Sequence, residues 1–248
     1  MHQQALLDML KSGVHFGHQA KSWHPKMKPF IFTTRGGVHI IDLEKTAQQL
    51  EAAGNYVSDV VARGGTILFV TTKRQATPIV REAAQSVGMP AVTERWIGGT
   101  LTNFENIIGL ARRLQTLRRQ REAGELAKYT KREQLKKDEE IANLEKSVGG
   151  IENLEKLPDA MFIIDIKKEK TAVREARKRK IPIIALVDTN ANPDLVQYAI
   201  PANDDATKSI SLITTAIAQA VERGKKQREQ KAAAEAQAAP APVSEVKE

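Results

Sequence analysis

The sequence predicts an α/β fold, a three-layer sandwich whose central sheet is mostly parallel, as in flavodoxin-like or Rossmann-like domains. Short runs rich in Ile and Val lie at residues 38–41, 66–71, 161–165 and 183–188, and they are typical of strands covered on both faces. Helical patterns lie between these runs. Strands that alternate with helices pair in parallel through right-handed crossovers, so we expect ligand-binding loops where the strands end.

Three helices of the sandwich are recognised by apolar residues at steps of three and four. They are expected within residues 43–61, 76–87 and 210–221. After Gly224 this periodicity ends, and Ala, Pro and Gln become frequent. That composition predicts a frayed helix that passes into a disordered tail over residues 225–248.

The alternation is interrupted over residues 102–157, which we interpret as an inserted helical hairpin. The α/β body would then consist of residues 1–101 and 158–224. Thr102 with Glu105 and Thr130 with Glu133 have the spacing of two capping boxes, which predicts the start of two helices. The expected seam comprises Ile107, Leu110, Leu114 and Leu117 on the first helix and Leu135, Ile141, Leu144 and Val148 on the second.

This narrow seam is typical of a coiled coil, and the remaining faces of both helices are crowded with charge of both signs. So polar a pair is not expected inside the sandwich, and we expect it to protrude as an arm. Its outer faces suit a protein or RNA partner, and the candidate partner residues are Arg112, Arg119, Lys131, Lys136 and Glu139. The alternative is a solvated spacer.

Composition limits the classes of function. The 248 residues include 38 Lys and Arg against 30 Asp and Glu, and the net charge of +8 favours acidic partners such as nucleic acid. The absence of Cys excludes disulfides, cysteine-ligated zinc and thiol catalysis. No secretory signal and no run of 18 apolar residues occurs, so we expect a cytoplasmic protein with no membrane partner.

The N-terminal segment, residues 13–35, interleaves cations with aromatic rings. No carboxylate occurs between Asp8 and Asp42, so its charge is free for phosphates while the rings offer faces for unpaired bases. The alternative is that the aromatic residues are core and the lysines are merely solvated. The candidate RNA-binding residues here are His15, Phe16, His18, Lys21, Trp23, Lys26, Lys28 and Arg35.

Two further loops are candidates for RNA contact. Lys73 and Arg74 begin a helix, where the dipole already favours an anion, although an ordinary solvated first turn is the alternative. No glycine-rich phosphate motif precedes them, which argues against a nucleotide-using enzyme. Arg95, Trp96 and Asn103 lie around a pair of glycines, and Trp96 either binds RNA or anchors the sheet.

A metal-dependent enzyme is the rival hypothesis. His15 and His18 have a spacing that can hold a metal ion, but no cysteine and no HExxH motif accompany them. Asp188, Asp194 and Asp204 could form an acidic pocket with a histidine, and turns and helix caps explain the same residues. We therefore expect neither a catalytic site nor a metal, and no cofactor.

Residues 167–180 carry eight cations and two carboxylates on a predicted helix. Like charges repel, so such a helix is unfavourable unless an anion lies near it, although a solvated basic face is the alternative.

Several of these segments also occur, in the same order, in one known family. They are GVHFGHQ at 13–19, PKMKPFIF at 25–32, HIIDLEKT at 39–46 and TKRQA at 72–76, followed by RWIGGTLTNF, LPDA, VDTN and IPANDDA. Over about residues 5–225 the chain closely resembles the second protein of the bacterial small ribosomal subunit. It departs from the family at His24, where Asn is common, at Thr71, Ala202 and Lys180, where Gly is common, and at Asn192, where Asp is common.

The resemblance implies a structural constituent of the small subunit without enzymatic activity, located on ribosomes in the cytoplasm. It implies an α/β sandwich with a protruding helical hairpin. It also implies binding to small-subunit ribosomal RNA between head and body, contacts with neighbouring small-subunit proteins, and help in recruiting the large mRNA-binding protein. We expect no homo-oligomer.

Overall fold

The N-terminal part of the chain forms a helix and a small antiparallel sheet. The computed structural model describes residues 2–238, with side chains from residue 4 to residue 233. Its first elements are α1 (His2–Lys11), β1 (Phe16–Gln19), β2 (Ile31–Arg35) and β3 (Val38–Ile41), with β3 in the centre of the sheet. Gly36 and Gly37 join β2 to β3 with φ of 59° and 75°, the two positive angles that a tight hairpin turn of this kind requires.

Residues 38–41 were predicted to belong to the parallel sheet, and this prediction was wrong. They form a strand, but an antiparallel one, outside the parallel sheet. Burial alternates along β3, with His39 and Ile41 buried and Val38 and Ile40 half-buried. A strand with one covered face alternates in this way, and a four-residue apolar run is too short to tell the two situations apart.

The second half of the fold is a five-stranded parallel sheet in the order β5-β4-β6-β7-β8. Its strands are β4 (Ile67–Val70), β5 (Ala91–Val92), β6 (Ala160–Ile164), β7 (Ile183–Val187) and β8 (Tyr198–Pro201). All residues of β4, β6 and β7 are buried, so the three remaining apolar runs are confirmed as doubly covered strands. The short β5 and the half-buried β8 lacked such a run and were not predicted.

Helices cover both faces of this sheet, and the predicted sandwich is confirmed. The helices are α2 (Leu43–Ala62), α3 (Thr77–Ser86), α4 (Phe104–Glu122), α5 (Lys131–Val148), α6 (Lys170–Arg179) and α7 (Thr207–Ala238). Ile67 and Phe69 of β4 point into one hydrophobic cluster with α2, α3 and α7. Leu68 and Val70 point into the other with α4, α5 and α6. Successive side chains of a strand face opposite sides, so one strand serves both layers.

Helices α4 and α5 occupy the predicted insertion but differ from it in detail. The capping box of Thr130 with Glu133 is present at the start of α5. The predicted box of Thr102 with Glu105 is wrong, because α4 is preceded by Asn103 and the Thr102 hydroxyl lies 3.4 Å from a carboxylate oxygen of Glu175. That partner lies 73 residues away, so local spacing could not indicate it.

The predicted seam is only partly buried. Leu110 and Leu135 are 40% and 61% exposed, whereas Ile108 and Ala111, which lie outside the predicted seam, are buried in the cluster that also contains Leu68 of the sheet. The ion pairs Arg113–Glu140 (3.1 Å), Arg118–Glu145 (2.9 Å) and Arg121–Asp138 (4.0 Å) link the two helices. The coiled-coil hairpin, its protrusion and its boundaries stay predictions.

Within the predicted tail, residues 225–238 form the end of α7, which agrees with the helical part of the prediction and extends it further than expected. The Lys225 ammonium donates to the Val87 carbonyl (2.7 Å), and the guanidinium of Arg228 lies against Gly64. These contacts attach the extension to the body, and its frequent alanines are strong helix formers. Residues 239–248 lie outside the described part of the chain.

Candidate nucleic-acid interface

The loops that follow the parallel strands meet at one edge of the sheet, which we call the carboxyl edge. The N-terminal segment crosses this edge and is attached to the loop after β7. The backbone N–H of His18 donates to Thr189 Oγ1 (2.8 Å), and that of His24 donates to the Thr189 carbonyl (2.7 Å). Most of the predicted RNA-binding residues therefore lie on or beside the carboxyl edge, where α/β folds usually bind ligands.

Lys73 lies inside this edge and not on its surface. Its Nζ is 2.7 Å from carboxylate oxygens of both Asp204 and Asp205 and 3.7 Å from Asp165. Burial alone would lower the pKa of Lys73, but the bonds to Asp204 and Asp205 outweigh it and raise the pKa. The ammonium is charged and already surrounded by carboxylates, so its surroundings do not support the predicted phosphate contact. The neighbouring Arg74 is exposed.

His18 also faces inward. Its Nδ1 lies 3.1 Å from Asp188 Oδ1 and its Nε2 3.5 Å from Asp205 Oδ2. The hydrogen bond to the buried Asp188 is the main cause that raises the pKa of His18. The ring thus fastens the N-terminal segment to the loop after β7, which is a positioning role.

The rival metal hypothesis gains one group of candidate ligands. His18, Asp188 and Asp204 each offer a ligand atom, and these atoms lie within 4.8 Å of one another. Burial and the nearby Asp188 raise the pKa of Asp204 to about 6. The Lys73 ammonium already supplies positive charge at Asp204, 2.7 Å away. Asp194, the third predicted carboxylate, is instead exposed and pairs with Lys26 (3.1 Å).

His15 and His24 do not join that group. The His15 ring lies 4.1 Å from the Phe16 ring, and His24 Nδ1 accepts from the backbone N–H of Lys26. The pairing of His15 with His18 as metal ligands, which their spacing allows, is therefore not found among the described residues.

The N-terminal aromatic residues divide between packed and exposed positions, and their predicted contact with RNA stays a prediction. Phe30 packs against the second hydrophobic cluster, while Phe16 is 48% exposed and Phe32 75% exposed. Trp23 is also exposed, with its ring 5.3 Å from that of His39. Exposed cations accompany these rings, namely Lys21, Lys26, Lys28 and Arg35.

The loop that contains Trp96 is fastened to α6 by Glu175. This carboxylate accepts from Trp96 Nε1 (3.2 Å) and from the backbone N–H groups of Gly99 (2.7 Å) and Leu101 (2.9 Å). Burial would raise the pKa of Glu175, but these hydrogen bonds outweigh it and lower the pKa. Trp96 thus anchors the loop, whereas Arg95 and Asn103 at its ends are exposed.

Glu175 was not among the site residues predicted from the sequence. The available signal was a carboxylate in an otherwise basic helix, three residues after the buried Ala172 and one before the buried Ala176. That spacing indicates an inward-facing position, and a carboxylate there needs several donors.

The candidate partner residues of α4 and α5 lie on their outer surface. Arg112, Arg119, Lys131, Lys136 and Glu139 are all exposed. Within residues 2–238, no helix has the length and apolar character needed to cross a membrane.

Comparison with known proteins identifies the family. The model of the family described as ribosomal protein S2 matches residues 9–224. The chain belongs to the ribosomal protein S2 family. It is 49% identical over 224 residues to small ribosomal subunit protein uS2 of Coprothermobacter proteolyticus, covering 90% of this chain and 84% of that protein. It is 51% identical over 221 residues to uS2 of Roseiflexus sp., covering 89% and 84%.

Membership of the ribosomal protein S2 family gives the chain a structural role in the small ribosomal subunit. It confirms the resemblance that the sequence motifs indicated. The family is not enzymatic, so the metal-dependent enzyme hypothesis is set aside.

Proposed function

We propose that this chain binds small-subunit ribosomal RNA through the N-terminal segment and the exposed residues of the carboxyl edge, on ribosomes in the cytoplasm. The observation that carries the proposal is the exposure of rings and cations together over residues 13–35, a stretch without a carboxylate. Cations release counterions from phosphates, and each base stacked on an aromatic ring contributes about 1–3 kcal/mol.

Within this interface the residues divide into contacts and supports. Lys21, Lys28 and Arg35 are exposed and supply charge, while Phe16 and Trp23 supply stacking faces. Lys26 shares its charge with Asp194, so we expect it to contribute less. His18 and Lys73 hold the edge together, and Arg74, Arg95 and Asn103 extend the contact surface beyond the segment.

A protein-binding surface accompanies the RNA-binding one. Leu7, Leu10 and Phe32 are exposed and line an apolar cleft of about 490 Å³ together with Leu6 and Ile40. Exposed apolar patches of this kind mark protein contacts. We assign this cleft to recruitment of the large mRNA-binding protein of the subunit, and the outer residues of α4 and α5 to neighbouring small-subunit proteins.

Sedimentation of a lysate through a density gradient tests the proposed function. The tagged chain should migrate with the small subunit at moderate salt, and Lys21→Ala with Lys28→Ala and Arg35→Ala should reduce that fraction. Lys208→Ala with Lys226→Ala and Lys231→Ala is the matched control, since these three cations are exposed on α7. Equal incorporation of both triple variants would contradict the assignment to the N-terminal segment.

Recruitment needs a separate measurement. Phe32→Ala should leave the chain on the subunit but reduce the amount of the large mRNA-binding protein that sediments with it. An unchanged amount would contradict the assignment of the cleft.

A further inference from the structure

The negative and positive side chains of residues 167–180 lie on different sides, one buried and the other exposed. The two carboxylates of this stretch, Glu169 and Glu175, are buried. The exposed residues are eight cations and one threonine, namely Lys167, Lys168, Lys170, Thr171, Arg174, Arg177, Lys178, Arg179 and Lys180. A sequence with two negative charges thus presents none of them to solvent.

Both carboxylates act inside the fold. Glu169 accepts from the backbone N–H (2.7 Å) and the hydroxyl (2.5 Å) of Thr72, in the turn before Arg74. Glu175 holds the loop that begins at Arg95. Each carboxylate therefore positions a neighbouring loop and leaves the outer cations unneutralised.

Two of the cations also have structural roles. Lys168 Nζ donates to the Thr72 carbonyl (2.7 Å), and Arg179 donates to the carbonyls of Leu101 (2.9 Å) and Thr102 (2.7 Å). The other six are Lys167, Lys170, Arg174, Arg177, Lys178 and Lys180, which we call the α6 cationic face. Among the side chains described from residue 4 to residue 233, no carboxylate oxygen lies within 4.0 Å of a charged group of these six.

Lys180 adds an independent observation. It follows α6 in the left-handed conformation with φ of 57°, a position that favours glycine. A side chain there costs about 1 kcal/mol relative to glycine. The chain therefore has a charged side chain at a position where the backbone conformation alone favours glycine.

We propose that the α6 cationic face is a second binding surface for small-subunit ribosomal RNA, distinct from the N-terminal segment and directed at the phosphate backbone. The inference rests on the proposed function. The face exposes no aromatic ring and no large apolar side chain, so it offers neither a stacking surface nor an apolar anchor of the kind on which protein interfaces depend. Closely spaced cations without carboxylates complement a polyanion, and α6 is about 15 Å long, enough to follow several phosphates.

The surface extends beyond the helix through the loops that its carboxylates hold. Thr72, bound by Glu169, precedes Arg74, and the loop bound by Glu175 begins at Arg95. Both arginines are exposed. The α6 cationic face thus continues toward the residues proposed to contact RNA on the carboxyl edge.

Binding of the full chain to small-subunit ribosomal RNA, measured over a series of salt concentrations, tests the inference. Lys170→Gln with Arg177→Gln and Lys178→Gln should reduce the slope of log K against log salt by about 2–3, because each lost phosphate contact removes about 0.7–0.9. The matched control, Lys208→Gln with Lys226→Gln and Lys231→Gln, has the same net charge and should change the slope by less than about 1. Equal losses in both variants would mean that only total charge matters, and this would overturn the proposal.

Lys180→Gly keeps the test valid if the triple variant folds poorly. Its melting temperature should be equal to or above that of the parent chain, since glycine fits the left-handed position. RNA binding should nevertheless weaken, with a slope smaller by about 0.7–0.9. Unchanged binding would remove Lys180 from the surface.

Placement on the RNA is measured directly with Lys178→Cys, because the chain contains no other cysteine to which a cleavage reagent could attach. Radical cleavage from this position in reconstituted subunits should cut RNA strands, and Lys226→Cys should not cut the same strands. If cleavage is absent and the triple variant loses a protein neighbour instead, the face is a protein interface and the proposal fails. If the parent chain binds no RNA at all, the proposed function itself fails.

Discussion

The interior of the carboxyl edge and the outer face of α6 both contain lysines, but the two environments give those lysines opposite roles. Lys73 is buried between Asp204 and Asp205 and its charge is neutralised within the fold. Lys170 and Lys178 are exposed, and no carboxylate contacts them within residues 4–233. A basic residue next to a loop therefore indicates RNA binding only when the rest of the fold leaves its charge free.

The largest effect that would break this comparison comes from Lys73→Ala. Removal of one partner of a buried ion pair leaves carboxylates uncompensated, so we expect a loss of about 3–5 kcal/mol in the free energy of unfolding, measured with urea. Lys178→Ala, an exposed control, should change it by less than about 0.5 kcal/mol. A stable Lys73→Ala chain with a reduced salt dependence of RNA binding would return Lys73 to the contact surface.

The next effect concerns two buried carboxylates, Glu169 directly before α6 and Glu175 within it. Glu175→Gln replaces an ionised acceptor of several N–H groups with a neutral amide, and we expect a loss of about 2 kcal/mol, since hydrogen bonds to charged groups contribute about 1.5–3 kcal/mol. Hydrogen exchange at the amides of Gly99 and Leu101 should accelerate in this variant. Unchanged exchange would show that Glu175 does not hold the loop.

The pH dependence of stability should distinguish the same two carboxylates. Because hydrogen bonds lower the pKa of Glu175, its contribution is present above its ordinary pKa of 4.5 and is lost as pH falls through the lowered value. Burial raises the pKa of Glu169, so its contribution is present below 4.5 and is lost as pH rises through the raised value.

Unfolding measured between pH 3 and pH 7 checks both signs. The destabilisation caused by Glu175→Gln should disappear at the acid end of this range. Glu169→Gln should instead make the chain more stable relative to the parent chain as the pH approaches neutral. The same pH profile in both variants would contradict the difference between the two sites.

The smallest expected effect is that of Lys180→Gly on stability. Relief of the left-handed conformation should raise the free energy of unfolding by up to about 1 kcal/mol. The gain is reduced because glycine is also more flexible in the unfolded chain. A clear loss of stability would mean that the Lys180 side chain makes a contact that the fold requires.

Much of the sandwich was predictable because β4, β6 and β7 are apolar at every position, as doubly covered strands typically are. The role of Lys73 was not, since its partner Asp204 lies 131 residues away and meets it only after the sheet forms. The exposure of Leu110 and Leu135 was missed for a similar reason. Periodicity indicates which residues share a helix face, but the sheet decides which face is covered.

The packing of α7 against α2 has a consequence for synthesis of the chain. Residues of α7 such as Ile213 and Ile217 complete the hydrophobic cluster that α2 and β4 begin more than 140 residues earlier. Contacts so distant in sequence form late, and they reduce the rate of folding. A growing chain would therefore expose the apolar side of α2 until nearly all of it had left the ribosome. The protein that becomes part of one ribosome must thus be almost fully released by another before its core can close.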